Sequence, residues 1–288
     1  MNTPAWRATT ERGERIIEAI AHDPFGTLLA SDFDGTLSPI VDDPDAAHID
    51  PEALRAFSRV AALVGQPAIV TGRGLGSVRE LGRLDHTPGL ERLVVKSQYG
   101  VETWDARTDT ITEPPMPEEI GVARARMEEL LDSWRADGVD VGGVGLEDKG
   151  RALGVHTRRS GSPEEMLARL EEPVRALASE LGLHLEPGRL VWELRATPGT
   201  KAQALEAVLV NHASRVAVMI GDDLADLSAF DRLHDLADKH QGLTVAAVAS
   251  ASGGEQPVVA ERADVVCDGP TGVAAWLDAV ADAIESRR

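Results

Sequence analysis

The chain has 288 residues, 43% of them hydrophobic, with 48 acidic against 29 basic side chains and a net charge of −19. That charge argues against a nucleic-acid backbone or an anionic membrane surface as partner, and the length exceeds the usual single-domain size, so two domains are expected. No apolar run approaches the roughly 18 residues of a spanning helix or resembles a secretory core, so the sequence reads as cytoplasmic, with no membrane partner.

In chain order, Glu11, Arg12, Glu14 and Arg15 lie in a helix-like pattern, and residues 27–33 read as a strand. A helix over 51–64, a strand over 68–70, a helix over 75–84 and a strand over 93–95 follow. This alternation implies βαβ units and a mostly parallel sheet. After residue 196 the grammar resumes: a helix over 201–212, a strand over 216–220, a helix over 224–234, a strand over 244–248, a strand over 265–267 and a helix over 273–284. Cys267, the single cysteine, excludes an internal disulfide and reads as a buried structural thiol. The stretch 250–254 looks like a small-residue loop.

Between these halves lies an insert with its own pattern. Ile120, Ala123, Met127, Leu130, Leu131 and Trp134 recur at helical spacing, as do Met166, Leu170, Val174, Leu177 and Leu181. Pro173 is expected to kink or split the second helix. Strand-type segments at 141–146, 152–157, 183–186 and 190–194 complete a small sheet. The expected architecture is therefore α/β: a doubly wound parallel-sheet core, 1–103 and 192–288, interrupted by a smaller α/β cap domain, 104–191, placed to shield a substrate from water.

Three apolar strands of the core end in polar residues suited to phosphate or metal. The first ends in Ser31-Asp32-Phe33-Asp34-Gly35-Thr36-Leu37, two carboxylates two residues apart. At the carboxyl end of a strand, where open α/β sheets place their ligands, one acid can attack and the other can handle the proton. The second ends in Thr71-Gly72-Arg73, whose hydroxyl and amide suit phosphoryl oxygens. The last ends in Gly221-Asp222-Asp223-Leu224-Ala225-Asp226. Before it, Thr197-Pro198-Gly199-Thr200-Lys201 puts a lysine at a helix start, where its charge and the helix dipole favour an anion.

This order of motifs resembles the haloacid dehalogenase superfamily of phosphatases. The resemblance implies that Asp32 attacks phosphorus to form an aspartyl-phosphate and that Asp34 protonates the leaving oxygen and then activates water. It also implies catalytic roles for Thr71 and Lys201, phosphoryl contacts from Gly72 and Arg73, and Mg²⁺ as cofactor. Asp32, the Asp34 carbonyl and Asp222 would hold the ion, with Asp223 and Asp226 as neighbouring or alternate ligands.

Within the insert, Gly145-Leu146-Glu147-Asp148-Lys149, His156-Thr157-Arg158 and Glu186 to Glu193 follow an order similar to the cap of trehalose-6-phosphate phosphatases. By that resemblance Glu147, Lys149 and Glu193 contact sugar hydroxyls, Arg158 lends charge or braces the cap, and the partner is a small sugar phosphate. The sequence departs from the family twice. Gly221 to Leu227 lacks the usual threonine and glutamate, and Ser97-Gln98-Tyr99-Gly100 stands where an Asn or Ser and then His-Gly is usual. A phosphatase of another glycoside phosphate, such as glucosylglycerol or mannosylglycerate phosphate, and a non-catalytic sugar-phosphate module remain the alternatives.

Overall fold

The computed structural model describes residues 5–41, 43–196, 199–251 and 257–288. Along the chain run β1 (Trp6–Ala8), α1 (Glu11–His22), β2 (Thr27–Ser31), α2 (Pro51–Ala61), β3 (Gln66–Val70), α3 (Leu75–Leu81), β4 (Val94–Ser97), β5 (Glu102–Asp105) and β6 (Thr110–Thr112). Next come α4 (Glu118–Ala136), β7 (Gly145–Asp148), β8 (Ala152–His156), α5 (Pro163–Leu181), β9 (His184–Gly188) and β10 (Val191–Arg195). The chain closes with α6 (Lys201–His212), β11 (Val216–Gly221), α7 (Leu224–Lys239), β12 (Thr244–Ser250), α8 (Pro257–Arg262), β13 (Val265–Cys267) and α9 (Gly269–Glu285).

These elements form two units, 1–113 with 199–288, and Pro114–Pro198. The larger holds a nine-stranded sheet in the order β1-β13-β12-β11-β2-β3-β4-β5-β6. Its centre, from β13 to β4, is parallel, and only the two margins are antiparallel. Strands buried on both faces need no polar alternation. Leu29, Ile69, Val218, Ile220 and Val248 accordingly face the side covered by α1, α2, α3 and α9. Their neighbours Leu28, Ala30, Ala68, Val70, Met219 and Ala247 face α6, α7 and α8. From β2 the chain winds one way to β3 and β4 and later returns on the other side through β11. The sheet's switch point thus lies at β2, where the doubly wound topology opens a crevice at the strand ends.

The smaller unit is an antiparallel sheet, β7-β8-β10-β9, with α4 and α5 packed on one face through Leu153, Val155, Leu194, Met127, Leu170 and Val174. Its limits correct the expected 104–191. Trp104 lies in β5, which pairs with β4 of the large sheet, and β10 pairs with β8 and β9 rather than returning to the core. Arg151, almost fully buried, donates to the carbonyls of Pro114 and Pro115 while its own carbonyl accepts from the Ala196 amide. One residue, by side chain and backbone, thereby ties both ends of the unit.

Other expectations shift as well. The helix at Pro173 is not split: α5 runs from Pro163 to Leu181. The carbonyl that loses its partner belongs to Arg169, on the solvent side, while Leu170, Val174 and Leu177 hold the helix on the sheet. Of 141–146, only Gly145 onward is strand. Strands β1, β5 and β6 and helix α8 were not expected. Thr197, Pro198 and the loop residues 252–254 lie outside the described residues. No helix among the described residues is long and apolar enough to cross a membrane.

A single buried carboxylate stitches the far edge of the large sheet. Asp264 accepts from the Thr10 hydroxyl at 2.6 Å and from the Ala247 amide at 2.9 Å, and lies 2.8 Å from His234 Nε2. It thereby joins the cap of α1, strand β12 and helix α7. Burial pushes its carboxyl up, but the bonds to His234, Thr10 and Ala247 outweigh this and hold it below the usual range. A lowered folded-state pKa contributes stability above the unfolded value and loses it as pH falls through the folded one. Asp264→Ala is therefore expected to cost about 3 kcal/mol in urea unfolding at pH 7 and to lose less stability than the parent below about pH 4; equal unfolding curves at both pH values would contradict this.

Candidate active site

Asp32, Thr71 and Asp222 each stand one residue beyond a parallel strand, after β2, β3 and β11. Main-chain bonds extend the ladder to fix them: Asp32 N–H donates to Ile220 O at 2.8 Å and Thr71 N–H to Lys96 O at 2.9 Å. Gly35, at φ 68°, turns the chain back beneath them, and a Cβ there would lie 2.0 Å from an Asp222 carboxylate oxygen. Only glycine allows the two loops to approach so closely.

Lys201, the first residue of α6, carries the central positive charge. Its Nζ lies 2.7 Å from Asp32, 2.8 Å from Asp226 and 3.7 Å from Asp223, and Lys201, Asp32 and Asp226 are all at most 4% exposed. Asp226 spends its second oxygen on the amides of Asp222 and Asp223, at 3.1 and 3.2 Å. One carboxylate thus holds both the lysine and the loop that presents Asp222. Asp223 caps α7 with bonds from the Ala225 and Asp226 amides.

The cluster carries more negative charge than one ammonium balances. Burial pushes the Asp32 carboxyl up to about 8; Lys201 opposes this, while Asp223 and Asp222 add to it. Asp222 reaches about 8 through burial and the nearby Asp226 and Asp223. Burial works against charge on Lys201, yet Asp226, Asp32 and Asp223 hold its ammonium well above its ordinary value. Asp32, Asp222 and Asp226 each offer an oxygen within 4.8 Å of the others. An all-oxygen, under-compensated set of this kind fits a hard divalent cation.

Asp34 stands apart from that trio. Its carboxylate receives two hydrogen bonds from Arg73, at 2.7 and 2.6 Å, so the arginine expected at the substrate is engaged with the second acid of the motif. Thr71 Oγ1 accepts from the Arg73 amide at 3.1 Å, which directs its own proton elsewhere. Gly72 follows it in the same loop.

In the smaller unit, β7, β8 and β10 bring Glu147, Gly154 and Glu193 into one row on the face opposite the helices. Lys149 Nζ lies 2.6 Å from Glu193 and 3.8 Å from Glu147, and Glu147 lies 2.8 Å from His156 Nε2. A Cβ on Gly154 would stand 2.7 Å from His156 Nε2, so the bare glycine is what lets the His156 ring lie over this row beside Glu147. Arg195, nearly buried and not anticipated, sits 3.5 Å from Glu193 Oε1, an oxygen that is buried without a hydrogen-bond partner among the described residues. Alternation within Val191-Trp192-Glu193-Leu194-Arg195 was the signal for it. Arg158 is exposed beyond β8 and makes no ion pair among the described residues.

Solved structures share this fold. The C-terminal domain of a C. albicans trehalose-6-phosphate phosphatase superposes with a TM-score of 0.72 at 19% identity, covering 98% of both chains. A haloacid dehalogenase-like hydrolase from Bacteroides thetaiotaomicron gives 0.57 at 16% identity, covering 88% of this chain and 98% of that one. The architecture is thus that of the haloacid dehalogenase-like hydrolases. A model of the family described as "Trehalose-phosphatase" matches residues 30–266, and the chain belongs to that family of phosphatases. Sinorhizobium fredii has a relative named "Probable trehalose-phosphate phosphatase", 28% identical over 78% of this chain and 80% of its own length. The "Trehalose-phosphate phosphatase" of Mycobacterium marinum is 32% identical over 69% of this chain, which spans about half of that protein (50%).

The raised carboxyls set the pH behaviour of the metal-free protein. Groups with folded values near 8 and ordinary values near 4 bind protons more tightly when folded, so stability falls as pH rises between those limits. Melting in chelator is expected at a lower temperature at pH 8 than at pH 5.5, and Mn²⁺ added at pH 7 is expected to release protons, read by calorimetry in buffers of different ionisation enthalpy. Binding without proton release would contradict the assignment.

Proposed function

We propose that this chain hydrolyses trehalose 6-phosphate to trehalose and inorganic phosphate, with Mg²⁺ as cofactor and Asp32 as the residue that carries the phosphoryl group. The observation that carries the reading is the buried Asp32–Lys201–Asp226 array, set at the switch point of this sheet in a member of the trehalose-phosphatase family. Asp32, the Asp34 carbonyl and Asp222 would hold Mg²⁺, whose charge lets two carboxylates coexist ionised beside an anionic substrate.

An Asp32 oxygen attacks phosphorus, the bond from phosphorus to the sugar oxygen breaks, and Asp34 supplies the proton to that leaving oxygen. Asp34 then takes a proton from the water that attacks phosphorus, which frees phosphate and restores the Asp32 carboxylate. Throughout, Lys201 offsets charge on Asp32, while the Thr71 hydroxyl and the Gly72 amide donate to the phosphoryl oxygens. The two hydrogen bonds from Arg73 hold Asp34 in a fixed orientation, and its guanidinium supplies positive charge to the phosphoryl group.

Sugar recognition is assigned to Glu147, Lys149 and Glu193, with Arg158 as a further exposed cation on the same unit. Carboxylates and an ammonium distinguish hydroxyl positions by charge-assisted hydrogen bonds. Glu193 Oε1 supports this: it pairs with Arg195 at 3.5 Å but accepts no hydrogen bond among the described residues, and a sugar hydroxyl would supply one. The cytoplasm, where phosphorylated sugars are made, is the compartment that goes with this activity.

Phosphate release should be measured with Mg²⁺ from trehalose 6-phosphate, glucose 6-phosphate, sucrose 6-phosphate and glucosylglycerol phosphate, with and without chelator. A strong, chelator-sensitive preference for trehalose 6-phosphate is expected; preference for another member would overturn the sugar assignment, and silence on all would overturn the catalytic one. Glu147→Ala is expected to lower kcat/KM for trehalose 6-phosphate by on the order of 2–4 kcal/mol of transition-state stabilisation, with an unchanged melting temperature. An unchanged kcat/KM would remove Glu147 from the sugar site.

A further inference from the structure

The turn that follows β4 is built in a way that the sheet does not require. Gln98, Tyr99 and Gly100 have φ of 48°, 59° and 95°, and the first two are side-chain-bearing residues in the left-handed region. L residues avoid that region, and strain of this kind persists where the surroundings enforce it and clusters at functional sites. Here the enforcement comes from the phosphate loop itself. The Gln98 amide donates to the Arg73 carbonyl at 2.9 Å and the Tyr99 amide to the Thr71 carbonyl at 3.0 Å.

The ring of Tyr99 lies against the same loop. A Cβ added to Gly72 would stand 2.7 Å from Tyr99 Oη and 2.8 Å from its Cζ, so the bare glycine is what admits the phenol. A Cβ on Gly100 would stand 2.8 Å from that of Ala204, in the first turn of α6, the helix that Lys201 begins. The single tyrosine of the chain thus lays its hydroxyl end against Gly72, while its Cβ stands 3.4 Å from a Cβ added to Gly199, two residues before the lysine that begins α6. It occupies the place where the family pattern usually has a histidine, so its chemistry belongs to this chain.

We infer that Tyr99 is a substrate-contacting residue whose hydroxyl donates a hydrogen bond to the phosphoryl group held by Thr71 and Gly72. The inference rests on the phosphatase reading and deepens it. A phenol, with an ordinary pKa of about 10, stays protonated at neutral pH and adds a donor without adding charge. Thr71 Oγ1, the Gly72 amide and Tyr99 Oη would then be three neutral donors to the same phosphoryl group.

The test is the affinity of inorganic phosphate, measured by calorimetry in Mg²⁺ for the full chain and its Tyr99→Phe variant, beside the melting temperature of each. Tyr99→Phe is expected to weaken phosphate about tenfold and to raise KM for trehalose 6-phosphate to a similar degree, with the melting temperature unchanged. Equal phosphate affinity in parent and variant would overturn the inference, as would a loss of affinity that only accompanies a lower melting temperature. Failure of the parent to turn over any sugar phosphate would instead strike the phosphatase reading, while the ratio of the two phosphate affinities would still decide the role of Tyr99.

Discussion

The architecture of the larger unit turns on one buried ammonium. Lys201 is almost without solvent and faces Asp32, Asp226 and Asp223, while Asp222 stands beside them. Burying so many acids around one cation is tolerable only if every oxygen has work to do. Asp226 shows how: one oxygen meets the lysine and the other receives two amides that fix the Asp222 loop. Strands β2 and β11, helix α6 and helix α7 all end or begin at this point, so the doubly wound sheet serves to bring four sequence-distant segments to one charge cluster. The raised carboxyls of Asp32 and Asp222 record what is left uncompensated, and a divalent cation is the natural remedy. An anionic substrate must also be drawn to a chain of net charge −19, which favours a site whose few cations are buried and closely aimed.

The smaller unit uses charge differently. Its helices cover one face of an antiparallel sheet, and the other face carries Glu147, Lys149, Glu193, His156 and Arg195 in mutual contact around a glycine. Half-buried, mutually paired groups of this kind keep their positions before any ligand arrives, which limits the entropy lost on binding a polyol. Glu193 and Arg195 are the most enclosed of them, and Glu193 Oε1, which accepts no hydrogen bond among the described residues, sets the pair apart from an ordinary surface ion pair.

Much of this was legible in the sequence because it is local. Apolar runs buried on both faces announced the parallel strands, and the polar residues that ended them announced the crevice; Asp32, Thr71 and Asp222 each fell one residue past a strand. Helices α4 and α5 followed from their apolar stripes. What escaped depends on partners far along the chain. The bond from Lys201 to Asp226 spans 25 residues and that from Thr10 to Asp264 spans 254, and neither leaves a local pattern. The domain limits were misjudged because β5 and β10 are both short strands at a crossing between units, and only pairing decides to which sheet each belongs. Arg73 was read as a phosphoryl contact from its motif, and its two hydrogen bonds to the carboxylate of Asp34, 39 residues away, were not foreseen. The left-handed turn at Tyr99 was invisible for a related reason: nothing in Gln98-Tyr99 asks for positive φ, and the contacts with Thr71 and Arg73 impose it.

The central claim is that Asp32 carries the phosphoryl group, and chemical trapping tests it most directly. The protein is mixed with trehalose 6-phosphate and Mg²⁺, quenched in acid within the first turnover, reduced with borohydride and mapped by mass spectrometry. An acyl-phosphate on Asp32 is predicted to appear as homoserine at position 32, absent without substrate. Steady turnover with no reduced residue at 32, or with reduction at Asp34 instead, would contradict the account.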